Sequence, residues 1–153
     1  MHTGNNIIIE APQQEIFKVV SDIERWPERL PHYRYVRITG KDGPRDTVEM
    51  SAFCERTPVS WVSIYEPNPD TMELRFEHIS RWTKGMVVMW YLTPTRDATR
   101  VEIIHDLKFR VPMLRWLADP IIARIVTNIA TKTLAEFKKF IEASRATPPE
   151  KPR

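Results

Sequence analysis

A chain of 153 residues, 42% of them hydrophobic, is long enough for one domain with a sizeable core. Its net charge of +3 is too mild to mark a dedicated polyanion binder. The single Cys54 excludes an internal disulfide framework. No stretch approaches the roughly 18 apolar residues of a membrane span, and Met1 to Asn6 shows no basic stretch leading into an apolar run. Together these point to a cytoplasmic protein.

The isoleucines at 7, 8 and 9 predict a short strand over 6–10, ended by Ala11-Pro12. Pro12 opens a short helix to about Val20, with Ile16, Phe17, Val19 and Val20 on its apolar side. Ser21-Asp22 is placed to cap a second short helix, 23–30, which Pro31 stops. Residues 33–39 read as a strand and Lys41-Asp42-Gly43-Pro44 as a turn. Over 47–55, Val48, Met50, Ala52 and Cys54 alternate with Thr47, Glu49, Ser51 and Glu55, and Thr57-Pro58 is expected to break the strand. Residues 59–65 are apolar or aromatic at most positions, so alternation does not choose their inner face; Pro67-Asn68-Pro69-Asp70 reads as a turn.

Residues 71–78 alternate cleanly, with Met72, Leu74, Phe76 and His78 against Glu73, Arg75 and Glu77. A connection over 79–84 holds Trp82, and 85–93 is a nearly continuous apolar strand. Residues 99–109 alternate again, with Val101, Ile103, His105, Leu107 and Phe109 on one side. The last element is a long helix over 119–143, with Asp119 as N-cap and Pro120 at its first position. Ile122, Val126, Ile129, Ala130, Thr133, Phe137, Phe140 and Ile141 share one broad face. The Pro-rich tail 147–153 is expected to be disordered, which leaves 1–146 as a single domain.

This order predicts an α+β fold. Seven antiparallel strands present one apolar face, and the long helix presents another; burying the two together satisfies both.

His78 and His105 are the most informative polar residues, because each falls on the apolar side of an alternating strand. Such a histidine is either a satisfied core residue or a hydrogen-bond and proton-transfer group facing a cavity. Tyr33 and Tyr65 are either aromatic wall or hydroxyl donors to a ligand carbonyl. Ser63 has no evident base beside it in the sequence. His32, His78 and His105 lack the spacing of a metal site, and the four glycines are isolated, so neither a metal nor a cofactor is expected. Glu49, Glu73, Glu77 and Glu102 fall on outward faces. The segment 25–45 carries Arg25, Arg29, Arg34, Arg37, Lys41 and Arg45. It is either a solvated face or a weak contact for anionic membrane or RNA; no DNA-binding motif is present.

Ala11-Pro12 followed by Asp22-Ile23-Glu24-Arg25-Trp26-Pro27, within this element order, resembles the START-like, Bet v1-like (SRPBCC) superfamily. The branch it resembles is polyketide cyclase/dehydrase and lipid transport, and the resemblance runs from about residue 6 to 143. It implies a helix-grip fold, with a bent seven-stranded antiparallel sheet around the C-terminal helix, two short helices after the first strand, and an apolar cavity between sheet and helix. The implied cavity residues are Trp26, Tyr33, Trp61, Ser63 and Trp90, with Ile122, Val126, Ile129 and Thr133 from the helix. In the aromatase/cyclases of that branch an inward arginine follows the serine by two residues. Tyr65 stands there in this chain, and a neutral phenol is a weaker electrophilic aid than a fixed guanidinium. A second arginine of those enzymes falls near His78. In the strand order of the superfamily one strand separates His78 from His105, or about 10 Å of backbone.

Two functions follow. One is a polyketide aromatase/cyclase or dehydratase, using His78 or His105 for proton transfer and Tyr33 and Tyr65 to orient carbonyls. The other is a non-catalytic carrier or chaperone for a lipid, quinone or other isoprenoid. In both, a hydrophobic small molecule is the partner, and the protein is a monomer or homodimer. An RNA- or ribosome-associated role through the segment 25–45 ranks behind them.

Overall fold

The structure, a computed structural model, describes residues 1–108 and 112–146. The predicted strand end at Phe109 and the tail 147–153 lie outside the described residues. The isoleucine run closes strand β1 (His2–Ile9), which leads into helix α1 (Gln13–Ser21) with Pro12 at its N-cap. A 3-10 turn at Ile23–Arg25 and the short helix α2 (Trp26–Arg29) follow. The expected single capped helix is thus split. Asp22 stands at the cap position but makes no capping hydrogen bond, and its carboxylate lies 3.7 Å from Arg25 instead.

Six strands then run as an antiparallel meander: β2 (Tyr33–Asp42), β3 (Arg45–Cys54), β4 (Thr57–Asn68), β5 (Glu73–His78), β6 (Val87–Pro94) and β7 (Thr99–Asp106). The sheet order is β1-β7-β6-β5-β4-β3-β2, so β1 and β2 form opposite edges and α1 and α2 carry the chain between them. The final helix α3 (Pro112–Ala146) packs against β1, β3 and β7 and so lies across the sheet, as the helix-grip expectation requires. Among the described residues no helix is long and apolar enough to cross a membrane.

Strand β1 starts earlier than expected, at His2, and β2 runs on through Lys41 and Asp42, expected in a turn; three further boundaries also differ from the sequence reading. Helix α3 starts at Pro112 rather than Asp119, which places Pro120 inside the helix. A helical proline withdraws one backbone hydrogen bond, and the long buried stripe beyond it, from Ile122 to Ile141, outweighs that loss. Thr57-Pro58 does not interrupt the sheet. Pro58 pairs with Phe53 near the start of β4, where a proline is tolerated, and the reversal occurs earlier, at Glu55 with φ +56°. At the far end Pro67 stays in β4. The Asn68 side chain builds the following turn by accepting from the backbone N–H groups of Asp70 (3.0 Å) and Thr71 (3.2 Å).

Cross-strand register settles the inner face of β4. Trp61 pairs with Met50, Ser63 with Val48 and His78, and Tyr65 with Phe76. Those partners are the inward residues of β3 and β5, so Val59, Trp61, Ser63 and Tyr65 face the helix. The alternation of β5 and β7 holds as expected: Leu74, Phe76 and His78, and Val101, Ile103 and His105, are all buried.

Candidate ligand cavity

Packing a straight helix across a twisted sheet leaves a gap near its middle, which side chains fill only in part. Here a cavity of about 70 Å³ remains between the sheet and α3. Trp26 from α2, Tyr33 from β2 and Met50 from β3 form one side; Val59 and Trp61 from β4 with Phe76 and His78 from β5 form the floor. Val88, Trp90, Ile103 and His105 from β6 and β7 continue it. Helix α3 closes the top with Ile125, Val126, Ile129, Ala130 and Thr133, and the β5–β6 connection adds Trp82, Thr83 and Met86.

The aromatic residues divide between filling and lining. Trp26 is 2% exposed and meets four rings: Tyr33 at 5.3 Å, Phe76 at 5.9 Å, Trp90 at 5.5 Å and Phe137 at 5.6 Å. Its indole N–H donates to the Val20 carbonyl at 3.0 Å, so the ring is held at both its apolar body and its polar tip. Trp61 is half-buried and lies parallel to the His78 ring, 5.8 Å between centroids, as a wall of the open space.

Both inward histidines line the cavity. The His78 Nδ1 is 2.7 Å from the Thr83 Oγ1, which sets the ring's orientation. Burial, with a smaller contribution from His105, pushes the His78 pKa down to about 3. Burial likewise lowers His105 to about 4, opposed by the Asp106 carboxylate. Both rings are therefore neutral at pH 7. The His105 Nδ1 is buried with no hydrogen-bond partner among the described residues.

A second polar group sits on the helix side. The Thr133 Oγ1 donates to the Ile129 carbonyl at 2.7 Å and lies 2.9 Å from the His32 Nε2. Tyr33 stands beside it on the same wall, and burial drives the pKa of its phenol far above its ordinary value. Burial and the neighbouring Lys132 lower the pKa of half-buried His32, which stands behind the cavity wall.

Of the residues singled out from the sequence, Trp26, Tyr33, Trp61, His78, Trp90, His105, Val126, Ile129 and Thr133 meet at this cavity. Three do not. Ile122 is buried one helical turn before Val126, beyond the end of the wall, and Ile125 takes the place expected of it. The Ser63 Oγ is buried without a partner among the described residues but lies off the cavity surface. Tyr65 stacks on Phe76 at 4.7 Å and donates its hydroxyl to the Ser21 carbonyl at 2.8 Å, fastening the end of α1 to the sheet. Its phenol is thus turned away from any ligand. Replacing Tyr65→Phe is expected to lower stability by about 1 kcal/mol in urea denaturation and to leave ligand binding unchanged.

Thr83 and His32 were not legible as site residues, since one sits in an irregular connection and the other acts from behind the wall. The arginines of the segment 25–45 mostly have local partners. Arg29 donates to the Val19 carbonyl at 3.0 Å, Arg34 lies 5.6 Å from the Phe53 ring, Arg37 lies 4.1 Å from the Tyr35 ring, and Arg45 lies 3.1 Å from Glu66.

Outside the cavity, an open groove of about 450 Å³ runs between the β3–β4 turn and α3. Val59 and Ile125 belong to the walls of both spaces. Arg124 and Glu55 pair at 3.0 Å on the groove's two sides.

The family model described as "Polyketide cyclase / dehydrase and lipid transport" matches residues 9–132, most of the chain. The protein belongs to this family. Among relatives of this chain, a "Putative polyketide cyclase" of Streptomyces cyaneus is 24% identical over 112 residues, covering 71% of this chain and 74% of that protein. Among solved structures, the Zhui aromatase/cyclase from Streptomyces sp. R1128 superposes with a TM-score of 0.82 at 13% identity, covering 97% of this chain and 98% of the other. A Thermus thermophilus protein, TTHA0849, does so with a TM-score of 0.80 at 16% identity, covering 95% and 100%. At such identities these likenesses establish the shared helix-grip fold.

Proposed function

We propose that this member of the polyketide cyclase/dehydrase family binds a hydrophobic, ring-bearing small molecule of polyketide type in the cavity. There it promotes cyclisation or dehydration by proton transfer at His78 and His105. The observation that carries this reading is a pair of neutral imidazoles set in an aromatic cavity that, among the described residues, is lined by no charged group. A neutral imidazole keeps one nitrogen lone pair for a proton at pH 7. Among the described residues no guanidinium lines the cavity to polarise a carbonyl. Catalysis then rests chiefly on holding a reactive chain in a folded, near-attack arrangement, where intramolecular closure gains most from orientation. The polyketide cyclase and aromatase/cyclase names of the relatives support the same chemistry.

The uncharged lining favours a second reading, a carrier that holds a lipid or quinone without reacting with it. Native mass spectrometry of freshly purified protein, followed by organic extraction, tests the binding shared by both. A stoichiometric apolar adduct is expected. A clean unliganded mass, together with no thermal shift from aromatic polyketides, quinones or fatty acids, removes both readings. Replacing His78 and His105 together by alanine then separates them. A changed product distribution from a poly-β-ketone substrate supports the enzyme, and an unchanged one with ligand still retained supports the carrier.

A further inference from the structure

Three buried polar atoms occupy neighbouring positions at one edge of the sheet: the Thr3 Oγ1, the Asn5 Oδ1 and the His105 Nδ1. None has a hydrogen-bond partner among the described residues. Register brings them together. Thr3 pairs directly with His105 across the β1–β7 ladder. Opposed residues of an antiparallel pair send their side chains to one face, with Cβ atoms about 4.5–5.5 Å apart. Asn5 follows Thr3 on the same inward face of β1, roughly 7 Å further along the strand. The Asn5 amide nitrogen then donates to the hydroxyl of Thr131, an exposed residue of α3, at 3.4 Å. Polar side chains thus lead from the cavity wall at His105 to the surface at Thr131, along the seam where α3 packs on β1.

Packing does not explain this row. Further along the same face β1 carries Ile7 and Ile9, and apolar residues at positions 3 and 5 would continue it. A buried polar atom without a partner is strongly unfavourable, and folded proteins satisfy nearly all of them once ordered water is counted. One water, with two hydrogen bonds of about 2.8 Å each, spans the separations set by this register. We infer that ordered water joins Thr3, Asn5 and the His105 Nδ1 into a polar track between β1 and α3, through which His105 exchanges protons with bulk solvent while the cavity stays closed. The inference goes beyond the proposed function and holds equally for an enzyme and for a carrier. A proton leaving the Nδ1 passes to the adjoining water as another proton leaves the outermost water, near Thr131, for the solvent; the reverse transfer restores the ring. His78 differs, because its Nδ1 is engaged by the Thr83 hydroxyl at 2.7 Å. An ordered water hydrogen-bonds a neutral imidazole without hydrating a cation as bulk solvent does, so burial still disfavours the charged ring.

The experiment is nuclear magnetic resonance at pH 7 on the full chain, isotope-labelled and without ligand. Magnetisation transfer from long-lived bound water to the Thr3 methyl and to the His105 ring is expected. The His105 ring N–H proton is expected to exchange with solvent faster than that of His78. Thr3→Val keeps the side-chain shape and removes the hydroxyl. It is expected to abolish the water signal at the His105 ring and to slow exchange there by at least about tenfold, because exchange then waits for local opening. A ring signal broadened away by exchange in the unaltered protein and sharpened in the variant counts as the same slowing. Asn5→Leu, toward the outer end, slows His105 likewise, and Thr3→Ser restores the fast exchange. A variant that only loosened the fold would speed exchange at both histidines instead of slowing one. Absence of bound water at Thr3, or His105 exchange unmoved by Thr3→Val or Asn5→Leu, overturns the inference and leaves the cavity reading standing.

Discussion

Acidification from pH 7 to about pH 4 is expected to remove most of the protein's stability through its two inward histidines. In the unfolded chain His78 and His105 take up protons near pH 6.5, whereas in the native state burial holds them back until about pH 3 and about pH 4. Both native values lie below the unfolded value, so the unfolded state binds more protons throughout this interval and stability falls as pH falls. Each histidine contributes about 1.4 kcal/mol per pH unit. Together they remove nearly 3 kcal/mol per unit, and roughly 5 kcal/mol or more between pH 6.5 and pH 4, comparable with the whole stability of a small domain. The lowered His32 pKa acts in the same direction. Urea midpoints followed by circular dichroism at pH 7, 6, 5 and 4 measure the slope. Replacing either inward histidine by glutamine is expected to remove about half of it. A flat profile from pH 7 to 4.5 would mean that water reaches the imidazoles and that the cavity is wetter than its lining suggests.

The same two residues show what the sequence can reveal. His78 and His105 were legible because a strand assigns its faces by a two-residue period, and charged neighbours such as Glu77 and Asp106 mark the outer face without reference to distant structure. The stripe of α3 was legible for a similar reason, through its 3.6-residue period. Tyr65 shows where this stops. Its inward direction follows from register with Phe76, but whether its hydroxyl reaches a ligand depends on where α1 ends, and Ser21 happens to lie 2.8 Å away. Likewise the start of α3 at Pro112 opposes the local rule that a proline marks a helix start at Pro120. Long-range packing decided it. His32 carries no periodic signal at all; its place in the polar network follows from the approach of β2 to the middle of α3, joining residues 101 positions apart in the chain.

Replacing Trp26→Ala is expected to cost about 3–5 kcal/mol, the range for removing a large buried aromatic. The ring is 2% exposed and touches Tyr33, Phe76, Trp90 and Phe137, so none of these can close the gap without leaving its own position. The Val20 carbonyl also loses its indole donor, adding about 1 kcal/mol. Equilibrium urea unfolding measures the sum. The variant also bears on function, because Trp26 borders the cavity and its indole occupies space directly beside the 70 Å³ that remains open. Removing the ring joins the two volumes. Naphthalene and 2-naphthol are then expected to raise the melting temperature of Trp26→Ala more than that of the unaltered protein, since a ligand that binds only the native state stabilises it in proportion to its occupancy. An equal or smaller rise would show that the tryptophan face is itself needed to hold a flat ring. In the first case a core ring limits what the cavity can admit, and stability and ligand room trade against each other at one residue. In the second, Trp26 serves both the core and the ligand through the same surface.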